Sequence, residues 1–178
     1  MRQSAPWRAR KHGMATTSLG GNPVQTVGEL PSVGAAAPAF TLTGADLGDV
    51  TLEGLSGTRV ILNIFPSIDT GVCATSTRKF NELATGLTNT QVVCVSADLP
   101  FALNRFCGAE GITNIVTAST FRSTFGDDYG VKMGEGRLAA LMARSVVVVD
   151  EAGNVTYTQL VPSIGEEPDY DGAIAALG

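Results

Sequence analysis

Cys73 is the residue of this chain whose type and placement most clearly suggest chemistry. It follows an apolar run that ends at Pro66 and a short polar loop, and the first turn of a helix is predicted there. At a helix N-terminus, unpaired backbone N–H groups and the positive end of the helix dipole favour a thiolate over a thiol. Ser67, Thr70 and Gly71 can bring hydroxyl and N–H groups close to the sulfur. The stretch therefore suggests a reactive cysteine.

The simplest alternative is that Cys73 only fills space on the inner face of its helix, as a small hydrophobe would. The hydroxyl-rich loop before it argues against that interpretation. The other cysteines are Cys94, within an apolar run, and Cys107, which is followed by glycines. Three cysteines are too few, and odd in number, for a disulfide scaffold, and His12 is the single histidine, so no ordinary Cys/His zinc site can form. What remains is the chemistry of a free thiol.

Composition and charge narrow the class of protein. The 178 residues are 44% apolar and 16% charged, which is an ordinary balance for one globular domain. Four of the twelve basic residues precede Gly13, so residues 14–178 carry eight basic side chains against 17 acidic ones. A body this acidic argues against a nucleic-acid partner. No apolar run of about 18 residues occurs, so no membrane-spanning helix is expected.

The chain begins with a basic segment, MRQSAPWRARKHG. The residues after it are small and polar, and they lack the apolar run that a secretory signal requires. We therefore expect residues 1–13 to be a disordered extension and residues 14–178 to form a single domain.

The elements that must position Cys73 follow from the hydrophobic pattern. Residues 59–66 and 91–98 are near-continuous apolar runs, as expected for strands buried on both faces of a sheet. Between them, apolar residues recur three and four positions apart from Cys73 to Leu87, which predicts an amphipathic helix. Strand, helix and strand form a βαβ unit, and open α/β sheets carry their sites at the carboxyl ends of such strands.

The rest of the chain predicts further strands and helices around this unit. Residues 20–33 suit an N-terminal hairpin, and the alternating pattern of residues 35–59 suits edge strands and loops. Downstream we expect a helix starting near Pro100, a strand from Asn114, a strand over 144–150 with an antiparallel partner in VTYTQLV, and a closing helix in EEPDYDGAIAAL. Together these elements predict an α/β domain with a mixed central sheet flanked by helices.

The spacing P-x-x-x-T-x-x-C, formed by Pro66, Thr70 and Cys73, resembles the active-site motif of the peroxiredoxins. The longer segments NIFPSIDTGVCATSTRKFN and SADLPFALNRFCGAEG, together with EPDY, are similar to the bacterial thiol peroxidases, an atypical 2-Cys branch of that family. The resemblance extends over residues 15–178. It implies a thioredoxin-like fold and a thioredoxin-dependent peroxidase that uses no metal, haem or flavin cofactor.

The resemblance also implies roles for individual residues. Cys73 would be the peroxidatic cysteine, whose thiolate attacks a hydroperoxide and becomes a sulfenic acid. Pro66 and Thr70 would shape the loop that presents the peroxide, and Arg144 would favour negative charge on the leaving oxygen. Cys107 matches the family's resolving cysteine, so an intrachain Cys73–Cys107 disulfide is expected. Because both cysteines lie in predicted helices, we expect local unfolding at each turnover.

Substrate, partners and location are likewise implied by the family. Its preference for alkyl hydroperoxides fits an apolar approach to the sulfur, for which the candidates are Phe65, Ile68, Phe101, Leu103 and Phe106. Thioredoxin would be the reductant, and the protein would be a homodimer. A transient catalytic disulfide and the lack of an export signal favour the cytoplasm.

Two other functions stay open on the residues alone. A thiol–disulfide oxidoreductase needs a C-x-x-C pair, but Ser76 stands where the second thiol should be. A non-catalytic binding module on a redox-like fold would leave Cys73 with ordinary reactivity. Slow alkylation of Cys73 at neutral pH would favour that module.

Overall fold

A seven-stranded mixed sheet lies at the centre of the structure, a computed structural model that describes residues 13–178. In chain order the elements are β1 (Thr16–Leu19), β2 (Asn22–Gln25), β3 (Thr41–Gly44), β4 (Asp49–Thr51), a one-turn 3₁₀ helix (Glu53–Leu55), β5 (Arg59–Ile64), α1 (Gly71–Ala84), β6 (Thr90–Ser96), α2 (Pro100–Glu110), β7 (Val116–Ser119), α3 (Phe125–Asp128), β8 (Ser145–Val149), β9 (Val155–Leu160) and α4 (Tyr170–Ala175). The strand order is β4-β3-β7-β6-β5-β8-β9, and β1 with β2 forms a separate hairpin.

The centre of the sheet is the predicted βαβ unit. Strand β6 runs parallel to β5 and to β7, whereas β8 pairs antiparallel with β5 and with β9. Five of the six residues of β5 and all five of β8 are buried, which confirms the prediction of strands covered on both faces. Strand β5 and its parallel neighbour β6 both end beside the loop that leads into α1.

The two faces of the sheet are covered by different elements. On one face, α1, α2 and α4 contribute Phe80, Leu103 and Ala173 to a cluster that contains Ile61 of β5. The other face packs against the region of α3, where the rings of Phe125 and Tyr129 stack with centroids 4.3 Å apart. Because side chains alternate along a strand, neighbouring residues of β5 pack into the cores on opposite faces of the sheet.

Two details differ from the sequence-based prediction. The hairpin spans residues 16–25, earlier than the predicted 20–33, because Gly20 and Gly21, with φ of 57° and 82°, form its turn instead of its first strand. The prediction of edge strands is wrong for β3, which pairs with β4 on one side and with β7 on the other.

The predicted N-terminal extension lies almost wholly outside the described residues, which begin at Gly13. The division between residues 1–13 and residues 14–178 therefore stays a prediction. Within the described part of the chain, no helix has the length and apolar character needed to cross a membrane.

Candidate active site

Cys73 is the third residue of α1, and its side chain is fully buried. The buried Pro66 lies two residues after the end of β5, and the chain then turns into α1 through Thr70, the N-cap residue. The N–H groups of Gly71, Val72 and Cys73 make no hydrogen bond to any of residues 13–178. The first N–H group of α1 that makes one is that of Ala74, which donates to the Thr70 carbonyl at 3.0 Å. The sulfur therefore lies at a helix terminus rich in free donors, which can stabilise negative charge that develops there.

The Thr70 hydroxyl contacts the Cys73 sulfur and does not cap the helix. Its Oγ1 lies 2.7 Å from the Cys73 Sγ and 3.0 Å from the carbonyl oxygen of Ser67, and it makes no capping bond. A hydroxyl has one proton but can also accept. With a thiol, the S–H donates to Thr70, which donates to Ser67; with a thiolate, Thr70 donates to the sulfur. Thr70 can therefore keep a hydrogen bond with the sulfur in either form, thiol or thiolate.

Arg144, the residue before β8, brings a buried cation to the same sulfur. Its Nη2 lies 3.3 Å from the Cys73 Sγ, and its Nε and Nη2 donate to the Ile164 carbonyl at 3.0 and 2.9 Å. The residue is 1% exposed, its Nη1 has no hydrogen-bond partner, and no ion pair among the described residues includes it. An unpaired buried cation is costly, so this guanidinium would stabilise negative charge that develops beside it, and its Nη1 is a donor without a partner.

A pocket of about 340 Å³ opens beside these groups. Thr70 and Arg144, the two polar neighbours of the sulfur, both line it. Its apolar wall comes from segments far apart in the chain: Leu19, Val72, Leu138, Leu141 and Ile164. An apolar pocket that ends on a cation and a hydroxyl suits a ligand with one alkyl end and one polar end.

None of the five apolar candidates for this approach lines the pocket. Phe65, Ile68 and Leu103 are fully buried core residues, and Phe101 is 66% exposed on α2. Phe106 is partly buried and packs beneath the Arg78 guanidinium, 5.6 Å from its ring centroid. The sequence offered little signal for the true lining, because Leu138 and Leu141 lie in a glycine-rich stretch without helix or strand periodicity.

Asp98 anchors the loop before Cys73, a role that the sequence analysis missed. It follows the end of β6, and its carboxylate accepts hydrogen bonds from the Ser67 hydroxyl at 2.7 Å, the Ile68 N–H at 2.7 Å and the Ser96 hydroxyl at 2.6 Å. A carboxylate directly after a buried parallel strand was the available signal. Asp69 instead pairs with the exposed Arg105 of α2 at 3.0 Å, so its charge is balanced there.

The three cysteines are free and differ in environment. Cys94 is fully buried in β6, where burial raises the pKa of its thiol to about 12, partly offset by the Asn63 amide, which suits an inert core residue. Cys107 is partly buried in α2; burial also raises the pKa of its thiol, and a hydrogen bond with Thr117 opposes the shift. The structure thus brings Pro66, Thr70, Cys73 and Arg144 together and keeps Cys107 on a separate helix.

Among residues 13–178, no group of three or more His, Cys, Asp or Glu side chains is arranged to hold a metal ion. The described candidate site consists of a thiol, a hydroxyl, a guanidinium and backbone donors.

Comparison with known proteins gives a consistent set of similarities. Residues 32–174 match the family model described as redoxin. Thiol peroxidases of Mycobacterium tuberculosis and Corynebacterium glutamicum are each 57% identical to this chain, over 93% and 92% of its length and 99% of theirs.

Solved structures agree with the predicted fold class. The peroxiredoxin-like protein from Aquifex aeolicus matches with a TM-score of 0.86 and 44% identity, over 92% of this chain and 96% of that one. The thiol peroxidase from Chromobacterium violaceum matches with a TM-score of 0.83 and 24% identity, over 90% of this chain and 93% of that one, and shows the shared fold. The predicted thioredoxin-like fold, with a mixed sheet, flanking helices and an N-terminal hairpin, is confirmed.

Proposed function

Because the chain belongs to the redoxin family and is a peroxiredoxin of the thiol peroxidase type, we propose that it reduces alkyl hydroperoxides through Cys73, with Cys107 as the resolving thiol. The observation that carries the proposal is the geometry at the sulfur. Cys73 Sγ has the Thr70 hydroxyl at 2.7 Å and the guanidinium of Arg144, which lacks a carboxylate partner in the described structure, at 3.3 Å.

In the first step, the Cys73 thiolate attacks the terminal oxygen of the hydroperoxide. An S–O bond forms, the O–O bond breaks, and the alkoxide oxygen leaves with the peroxide proton as an alcohol. Sulfur is oxidised to a sulfenate, which takes up a proton from solvent to become the sulfenic acid. Negative charge grows on the leaving oxygen, where preorganised donors lower the barrier. The free Nη1 of Arg144 and the free N–H groups at the start of α1 are the donors within reach of the pocket.

The preference for alkyl hydroperoxides rests on the pocket wall. Leu138, Leu141 and Ile164 offer an apolar surface next to the sulfur's two polar neighbours. Burial of an alkyl chain against them adds binding energy of about 25 cal/mol for each Å² removed from water, which hydrogen peroxide cannot provide.

In the second step, the Cys107 thiol loses its proton and attacks the sulfenic sulfur. The S–O bond breaks, the hydroxyl group leaves as water by taking up a proton, and a Cys73–Cys107 disulfide forms. Both thiols begin in helices, so α1 or α2 must open locally. Cys107 lies in the last turn of α2, which ends at Gly111 with φ of 65°. The pair Arg78–Glu110, at 2.8 Å, links this turn to α1 on the exposed surface, where ion pairs contribute little stability. The C-terminal turn of α2 is thus a favourable place for opening.

The family resemblance supports two further proposals about partners. A reduced thioredoxin would return the disulfide to two thiols, and the protein would be a homodimer. The first is tested by coupling peroxide consumption to thioredoxin and its reductase, and the second by the molar mass in solution.

One equivalent of cumene hydroperoxide is expected to remove two of the three free thiols of each chain. The reason is that one thiol reduces the peroxide and a second one closes the disulfide. Thiol titration and intact mass under non-reducing, denaturing conditions measure this, with a loss of two hydrogens and no change in chain number. An unchanged thiol count would contradict the peroxidase function, and covalent dimers would contradict an intrachain partner.

Cys107→Ser is expected to stop turnover with thioredoxin while the first oxidation of Cys73 keeps its wild-type rate. Without the resolving thiol the sulfenic acid persists, so dimedone should trap it on Cys73, as detected by mass spectrometry. Cys94→Ser is the matched control, since Cys94 is buried in β6, and it should still form the disulfide. If Cys107→Ser still forms the disulfide and Cys94→Ser does not, the resolving cysteine is Cys94 and not Cys107.

A further inference from the structure

We propose that the hairpin formed by β1 and β2 is a positioning element for Arg144, and that it sets the rate of the peroxide step. This inference rests on the role proposed above for Arg144. The hairpin lies outside the central sheet. One of its contacts with the site is made through a short segment, residues 161–164, which follows β9.

The orientation of the Arg144 guanidinium depends on one carbonyl group. Its Nε and Nη2 both donate to the Ile164 oxygen, and no described ion pair holds the side chain from another direction. A guanidinium is a rigid planar fork, so a shift of that carbonyl turns the whole group. The distance between Nη2 and the Cys73 Sγ, 3.3 Å, therefore depends on where residue 164 is held.

Residues 161–164 are held in turn by β1. The carbonyl oxygens of Val161 and Pro162 accept hydrogen bonds from the hydroxyl groups of Thr17, at 2.8 Å, and Ser18, at 2.9 Å. The N–H of Ile164 donates to the carbonyl of Ser18 at 2.8 Å. Two consecutive residues of β1 thus make three hydrogen bonds to the segment that carries the Arg144 acceptor.

Apolar packing places the hairpin over the same region. Val24 of β2 packs against a small buried cluster that contains Met133, Ala143 and Ile164, so it covers the residue directly before Arg144. Leu19, the last residue of β1, lines the pocket together with Ile164. The hairpin therefore contacts the site from two sides: it holds the loop behind the guanidinium and forms part of the pocket wall.

If the hairpin had only a structural role, it would make the same contacts, but its variants would behave differently. Loss of its hydrogen bonds would then lower the unfolding temperature and leave the reactivity of Cys73 unchanged. Thr26 provides the matched control, because its buried hydroxyl donates to the Gly28 carbonyl at 2.7 Å, just beyond β2, and makes no hydrogen bond to residues 161–164.

The test uses the full chain with Cys107→Ser, so that oxidation of Cys73 by cumene hydroperoxide stops at the sulfenic acid. Adding Thr17→Val and Ser18→Ala is expected to slow this oxidation by about tenfold, since small misplacements of a catalytic group have large effects on rate. Thr26→Val should keep the parent rate even where its unfolding temperature falls. Ser18→Ala alone, a milder surface change, should slow the step in the same direction.

Repeating the comparison with Arg144→Gln separates this inference from the proposed function. If the hairpin acts through the guanidinium, Thr17→Val with Ser18→Ala causes no further slowing once the guanidinium is gone. An unchanged rate in the hairpin variants, or equal slowing with and without Arg144, overturns the inference. Unchanged oxidation in Arg144→Gln itself would instead overturn the role of Arg144 in the proposed function.

Discussion

Replacement of Cys73 by serine is expected to reduce consumption of cumene hydroperoxide to the uncatalysed rate, a loss on the order of 10⁶-fold. Serine keeps the shape of the side chain and can still bond with Thr70, which lies 2.7 Å from the sulfur, so the fold should remain. Its hydroxyl does not ionise at neutral pH, however, and oxygen cannot take the place of sulfur as the atom that is oxidised. Peroxide consumption with thioredoxin and its reductase measures the effect.

Cys94→Ala is the control for this experiment. It removes another buried thiol from the same side of the sheet, but Cys94 lies in β6 and belongs to the core. It should cost stability through the lost packing and leave the activity in place. Peroxidase activity that survives Cys73→Ser would refute the assignment of the nucleophile.

Arg144→Gln is expected to slow the oxidation of Cys73 by about 10²- to 10³-fold, the usual effect of removing a preorganised donor from a site of developing charge. The change removes the cation 3.3 Å from the sulfur and the free Nη1 that can meet the leaving oxygen. Single-turnover oxidation with cumene hydroperoxide in the Cys107→Ser protein isolates this step. Dimedone trapping after timed quenching gives the rate.

Arg59→Gln is the matched control for Arg144. The Arg59 guanidinium also donates to two backbone carbonyls, those of Thr88 and Leu177, but it lies at the opposite end of β5 from Cys73. Its loss should affect stability alone. Equal slowing in both variants would show that the effect of Arg144→Gln is a general consequence of losing an arginine that holds the backbone.

The parts of the fold that could be predicted are those with a local signal. The apolar run before Pro66 and the three- and four-residue spacing after Cys73 predicted β5 and α1, and both were confirmed. Glycine is a local signal for the end of α2 as well, because the φ of 65° at Gly111 suits glycine at a helix C-terminus. The hairpin was misplaced since its two glycines are compatible with a strand start or with a turn.

The pocket wall could not be predicted for a physical reason. Phe101 is an apolar candidate in the sequence, yet helix geometry turns it to the surface, where it is 66% exposed. The wall is instead built by Leu19, Leu138 and Leu141, which come from both halves of the chain. Asp98 was missed for a similar reason, because two of its partners, Ser67 and Ile68, lie on the neighbouring loop and not on its own strand.

The candidate nucleophile and its place at a helix N-terminus could be predicted from the sequence by itself, because a helix N-terminus is a local property of the residues around Cys73. The tertiary structure alone decided that a cation 71 residues away meets the sulfur. That contact depends on the register of β8 against β5, in which Ser145 pairs with Ile64. A run of four valines presents similar side chains to both faces in any register, so no local pattern encodes this choice. Packing of the whole sheet selects the register, and with it the placement of Arg144 beside Cys73.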